Sequence, residues 1–158
     1  MLYQFINSEI DNALKDSQTY ADAFTALKMA GASVDQAIRE VTTTDVRDAC
    51  DLLLDTFRKT KGIDGRVSIE VDPRLAHKTQ ETIDQARELW KEVGRENLFI
   101  KVPATLAGLP AIELLISEGI SVNVTLIFSI QRYEEVLLAY ASGIEKRLAT
   151  GANISQIQ

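Results

Sequence analysis

From Gly65 onward, extended runs alternate with helical ones, and that order admits few folds. Arg66-Val-Ser-Ile-Glu-Val-Asp72 alternates apolar with polar residues and stops at Pro73, which marks a strand over 66–72. Asn97-Leu-Phe-Ile-Lys-Val102 reads as a second strand, stopped by Pro103, and Ser121-Val-Asn-Val-Thr-Leu-Ile-Phe128 as a third. Ile83, Ala86, Leu89, Trp90 and Val93 recur at helical spacing between the first two, closed by Gly94. Pro110 suits the first turn of the next helix, anchored by Ile112, Leu115 and Ile116 and ended by Gly119. A last helix carries Tyr133, Val136, Leu137, Tyr140, Ile144 and Leu148 and ends at Gly151. Strands and helices in this order form a parallel α/β sheet joined by right-handed crossovers. No glycine-rich nucleotide or phosphate loop follows any strand, so a Rossmann or P-loop reading lacks its fingerprint.

The residues before Gly65 read as helical. Leu2, Phe5, Ile6, Ala13 and Leu14 give a loose first stripe. Tyr20, Ala23, Phe24 and Leu27 give a second, with Gly31 as a left-handed stop. Ser33-Val-Asp-Gln36 has the form of a capping box opening a short helix, expected to break at Thr42-Thr43-Thr44. A longer helix then places Val46, Ala49, Cys50, Leu53 and Phe57 on one face, followed by Gly62. The expected organisation is a single domain over 1–158, helical over 1–64 and β/α over 65–158. Another helix is expected to begin at Ser155-Gln-Ile-Gln158, so the chain reads as cut.

Composition narrows the function classes. At 158 residues and 46% hydrophobic content the chain can bury a substantial core. Its net charge of -6, from 17 basic and 23 acidic residues without long blocks, argues against nucleic acid or an anionic membrane as partner. The single cysteine, Cys50, lies on an apolar helical stripe and reads as a small core residue in a reducing compartment. Leu2-Tyr3-Gln4-Phe5-Ile6 is too short and too polar for a secretory h-region, and no apolar run approaches a membrane span. A soluble cytoplasmic protein is expected. The single histidine, His77, has no partner at ligand spacing; it reads as a solvated residue at a helix start, and neither metal nor cofactor is expected.

Side chains alternate between the two faces of a strand. Val67, Ile69 and Val71, then Leu98, Ile100 and Val102, then Val122, Val124 and Leu126 form one apolar face, suited to packing under the crossover helices. The opposite face carries Glu70, Lys101, Asn123 and Thr125 toward the strands' C-terminal ends. Lys101 has two plain explanations: it ends an edge strand and snorkels to water, or it joins Glu70 in an internal ion pair bridged by Asn123. Buried polar groups each need about 1–3 kcal/mol of desolvation replaced, so convergence on a normally apolar face requires a reason. A lysine in such surroundings tends to lose its charge, and a neutral amine is a nucleophile toward carbonyls. The C-terminal ends of barrel strands are where active sites lie, which favours a functional cluster.

Three stretches carry a family resemblance: Gly65-Arg-Val-Ser-Ile-Glu-Val-Asp-Pro-Arg74, Ile100-Lys-Val-Pro-Ala-Thr105 with Gly108, and Glu118-Gly-Ile-Ser-Val-Asn-Val-Thr-Leu-Ile-Phe-Ser129. They resemble transaldolases, enzymes of the pentose phosphate pathway with a (β/α)8 barrel. The resemblance implies that Lys101 forms a Schiff base with the C2 ketone of a ketose phosphate such as fructose 6-phosphate or sedoheptulose 7-phosphate. It implies that Glu70 moves protons through a bound water, that Thr125 holds this water, and that Asn123 binds the dihydroxyacetone portion. An aldose phosphate such as erythrose 4-phosphate would then accept the three-carbon unit.

The match is to the family's third, fourth and fifth strands. Nothing near Met1 to Asp11 matches the first strand with its aspartate base or the second with its Thr-Asn-Pro segment. The serine and arginine that grip phosphate in the family would lie beyond Gln158. A full barrel takes about 250 residues, so an incomplete barrel is expected, with little turnover from this chain alone. Uncovered strand edges predict self-association or a covering N-terminal helical region. The alternatives are a smaller Schiff-base aldolase of the same superfamily, and a non-catalytic α/β remnant serving as a structural unit.

Overall fold

The computed structural model describes residues 18–155, 157 and 158. The stripe of Leu2, Phe5, Ile6, Ala13 and Leu14 lies outside them. The chain divides into two compact units, Met1–Thr44 and Asp45–Gln158, and the division falls within a helix.

In the first unit, α1 (Gln18–Met29) half-buries Tyr20, Ala23, Phe24 and Leu27, the expected stripe. Its end is a Schellman turn: Gly31 takes φ +81°, the Ala32 N–H donates to the Leu27 carbonyl and the Gly31 N–H to that of Lys28. The next helix, α2 (Val34–Lys59), opens with the expected capping box. The Ser33 N–H donates to Gln36 Oε1 (2.8 Å) and the Gln36 N–H to Ser33 Oγ (3.2 Å). The break expected at Thr42-Thr43-Thr44 does not occur, and α2 runs through it. Thr43 is buried and returns its hydroxyl to the Arg39 and Glu40 carbonyls (2.9 and 3.1 Å), so its polar group is satisfied within the helix. Threonine costs well under 1 kcal/mol in a helix interior, too little to end one that is capped at its start.

In the second unit the sheet contains β1 (Val67–Glu70), β2 (Leu98–Pro103) and β3 (Val122–Thr125), parallel and in the order β1-β2-β3. β1 and β3 are shorter than the alternation predicts, and β2 lies one residue later than expected, taking in the Pro103 that was expected to stop it. Asp72 turns β1 into a 3-10 turn (Pro73–Leu75), its carboxylate accepting from the Arg74 N–H at 2.8 Å. Leu126 has φ +61°, a left-handed conformation that stops β3 and leaves Leu126 59% and Phe128 86% exposed. Leu126 therefore does not extend the apolar face as expected.

Helices α3 (Thr79–Val93) and α4 (Gly108–Glu118) bury Ile83, Ala86, Leu89 and Val93, and Ala111, Ile112, Leu115 and Ile116. Together with Leu98, Ile100 and Val102 these make the core, each large side chain contributing about 1.5–3 kcal/mol on burial. Of the stripe expected on α5 (Ile130–Ala149), Val136 is buried and Tyr140 and Ile144 pack partly buried against the core, whereas Tyr133, Leu137 and Leu148 stay exposed and the buried face turns toward Ala139 and Gly143. Gly143 explains the rotation: a Cβ there would lie 2.6 Å from the Glu113 carbonyl oxygen, so the backbones of α4 and α5 meet too closely for a larger residue. No described helix is long and apolar enough to cross a membrane.

The chain passes α2 closely on its way into β1. Gly65 has φ +77°, and a Cβ on it would stand 2.5 Å from the Phe57 nitrogen. Of the face expected on α2, Cys50 and Phe57 are buried, but Leu53 is 40% exposed. The helix expected at Ser155 is not formed among the described residues. Instead the Gln158 carbonyl accepts from the Val122 N–H (2.8 Å) at the outer edge of β3, and Tyr140 donates to the Ile157 carbonyl (3.2 Å).

Cys50 is fully buried, and its loss of solvent, with Asp51 nearby, pushes its thiol from 9.0 up to about 11. Between those values the folded state keeps a proton that the unfolded chain has released. Its contribution is therefore complete below the unfolded value and is lost as pH rises toward the folded one. Urea midpoints measured at about pH 8 and about pH 10 should fall less in a Cys50→Ala variant than in the parent chain.

Candidate active site

The register sets the polar face. Glu70 pairs with Lys101 across β1 and β2, Lys101 with Asn123 across β2 and β3, and Pro103 with Thr125 one step further on. Glu70, Lys101 and Asn123 thus form one row across the sheet, with Thr125 on the same face toward the strands' C-terminal ends. Among the described residues β2 is flanked by β1 and β3, so Lys101 does not end an edge strand as the first plain explanation supposed.

Lys101 Nζ donates to Glu70 Oε2 at 3.1 Å; the lysine side chain is 16% exposed and the glutamate 47%. The ion pair of the plain explanation is therefore present, and it opens to solvent on the carboxylate side. Asn123 Nδ2 donates to Ser68 Oγ at 3.2 Å. Thr125 Oγ1 is buried and makes no hydrogen bond within the described residues, while the Thr125 carbonyl accepts from the Ala104 N–H (2.8 Å). Burying a hydroxyl without a partner costs about 1–3 kcal/mol, so the group calls for a functional account.

The loops that follow β1 and β2 are tied together. The Thr105 hydroxyl donates to the Ala76 carbonyl and accepts from the Gly108 N–H (2.9 Å), and the Thr79 hydroxyl donates to the Ala107 carbonyl (2.7 Å). The rim above Glu70 and Lys101 is thereby fixed at two points. At the same rim Arg74 hydrogen-bonds Asp72 and holds its carboxyl below the usual range. His77 is exposed nearby. Among the described residues no cluster of histidine, cysteine and carboxylate side chains is arranged for a metal ion.

A lysine amine with a carboxylate in contact, an amide and a free-standing hydroxyl on one polar face is equipped for carbonyl chemistry that requires proton transfers. Compared with known proteins, residues 8–154 match the Transaldolase/Fructose-6-phosphate aldolase family. The chain belongs to this family. A transaldolase of Mycobacterium tuberculosis (strain ATCC 25618 / H37Rv) is 58% identical over 150 residues, which is 95% of this chain and 40% of the relative. One from Mycolicibacterium smegmatis is 57% identical over 145 residues, and one from Parafrankia sp. 50% over 145. The chain thus spans about 40% of the length of these relatives. Its open α/β sheet is part of the transaldolase barrel.

Residues outside the expected set also shape this face of the sheet. Asn97, wholly buried, donates through Nδ2 to the Cys50 carbonyl (2.9 Å) and the Gly65 carbonyl (2.8 Å), tying the start of β2 to α2 and to the entry of β1. Its only sequence signal is a polar residue heading an apolar strand. Arg66 lies over the rings of Phe57 (5.0 Å) and Phe99 (4.6 Å), and burial lowers its pKa. Nothing in the spacing of Phe57, Arg66 and Phe99 announces that stack. Ser68 was legible as sharing the face of Glu70, but not as the partner of an amide two strands away.

Proposed function

We propose that this chain carries the imine-forming part of a transaldolase site and acts on sugar phosphates of the pentose phosphate pathway in the cytoplasm. Lys101 adds to the C2 carbonyl of a ketose phosphate, fructose 6-phosphate or sedoheptulose 7-phosphate. The adduct loses water as Glu70 supplies and removes protons through a water held by the Thr125 hydroxyl, and Asn123 binds the dihydroxyacetone portion. The protonated imine then draws electrons from the C3–C4 bond. Breaking it also needs a base for the C4 hydroxyl proton, a role assigned to none of these four residues; with that proton removed an aldehyde leaves, and the three-carbon unit stays on Lys101 as an enamine until an acceptor aldose phosphate takes it.

The observation that carries this reading is the contact between Lys101 and Glu70 on the polar face of the sheet, with the Thr125 hydroxyl, unpartnered among the described residues, further along the same face. Because the chain spans about 40% of its relatives, we assign to it imine formation and expect little complete transfer. The relatives' name favours transfer over simple aldol cleavage; release of free dihydroxyacetone without an acceptor would reverse that choice.

Borohydride trapping with fructose 6-phosphate tests the reading. The expected result is a stable mass adduct on the Lys101 peptide, absent in Lys101→Ala. A parent chain that gives no adduct overturns it and leaves a structural α/β unit.

A further inference from the structure

The hydrogen bond from Asn123 to Ser68 joins strands that are not neighbours. Ser68 lies on β1, Asn123 on β3, and β2 runs between them. Adjacent strands are about 4.8 Å apart, so β1 and β3 in a flat sheet would be separated by about twice that, with side chains standing parallel. A serine and an asparagine cannot close that distance to 3.2 Å unless the sheet curves toward this face. The register adds the direction. Ser68 is level with Phe99 and Asn123 with Lys101, so the bond crosses β2 diagonally, between the levels of Phe99 and Lys101.

We propose that Ser68 is a positioning residue of this site: its hydroxyl holds the Asn123 amide across β2, at the base of the Lys101 side chain. The inference rests on the imine reading above, because Asn123 needs a fixed orientation only if a substrate hydroxyl meets it. Anchored at Nδ2 by Ser68, the amide presents one arrangement of donor and acceptor to the substrate. Serine suits the task because it combines a hydroxyl with the smallest side chain that can carry one. It fits under a curved face already occupied by Phe99 and Lys101.

The test uses the whole 158-residue chain, dihydroxyacetone as probe, and borohydride quenching at set times, with the adduct quantified on the Lys101 peptide. Ser68→Ala is expected to raise the half-saturating dihydroxyacetone concentration about five- to tenfold, the loss of one anchoring hydrogen bond, and Ser68→Thr to restore most of it. Ser68→Ala combined with Asn123→Ala should be no worse than Asn123→Ala alone, because both remove one interaction. In the ligand-free chain, the Asn123 side-chain amide NMR signals should shift and exchange faster in Ser68→Ala. Parent-like saturation by Ser68→Ala, multiplying effects in the double variant, or unchanged amide signals would each overturn the role of Ser68. A parent chain that traps no dihydroxyacetone, with the amide signals responding to Ser68→Ala, overturns the imine reading instead and with it any substrate for Asn123 to meet.

Discussion

Replacing Glu70 by glutamine is expected to slow imine formation on Lys101 by about a hundredfold or more, the usual scale of a lost proton-transfer group. Dehydration of the first adduct requires a proton on the departing oxygen and the loss of one from nitrogen. Glu70 is the carboxylate in contact with Lys101, at 3.1 Å. Glutamine keeps the shape and can still accept a hydrogen bond from the lysine, but it cannot exchange protons. Stability should change by about 1 kcal/mol or less, because the pair is open to solvent on the glutamate side, where exposed ion pairs contribute little. Fructose 6-phosphate adduct formed against quench time, alongside urea midpoints, separates the two effects. A Glu70→Gln chain that traps at the parental rate would remove Glu70 from the mechanism.

The second large effect is on folding. Asn97→Ala should cost about 2–4 kcal/mol, the sum of a small cavity and donors withdrawn from buried carbonyls. Asn97 is 0% exposed, and its amide serves both the Cys50 and Gly65 carbonyls. Gly65 has no room to move toward α2, since a Cβ on it would already stand 2.5 Å from the Phe57 nitrogen. The bonds from Asn97 thus hold β2, and with it Lys101, in register with the start of β1. Urea unfolding measures the loss. A change below about 0.5 kcal/mol would mean that packing alone sets this register.

Much of this arrangement was legible in the residues. Period-two alternation placed Glu70, Lys101, Asn123 and Thr125 on one face, and the pairing of Glu70 with Lys101 and of Lys101 with Asn123 follows the same geometry. Glycines at helix ends and the Ser33–Gln36 box marked boundaries well because their chemistry is local: a left-handed φ at Gly94 and Gly119, and reciprocal bonds within one turn. The threonine run misled because an intrinsic propensity of a few tenths of a kcal/mol yields to side-chain bonds such as those of Thr43.

The sequence alone thus determined the order of strands and helices from Gly65 to Gly151, the two faces of each strand, and the family to which the lysine strand belongs. All three depend on residue types at short spacing. The tertiary structure decided how far the buried α5 face is turned from the expected stripe, where β3 stops, which carbonyls receive the Asn97 amide, and that Ser68 meets Asn123 over β2. Those depend on how closely backbones approach at Gly65 and Gly143 and on how far the sheet curves. They are sums of contacts between residues distant in the chain, and no local pattern encodes them.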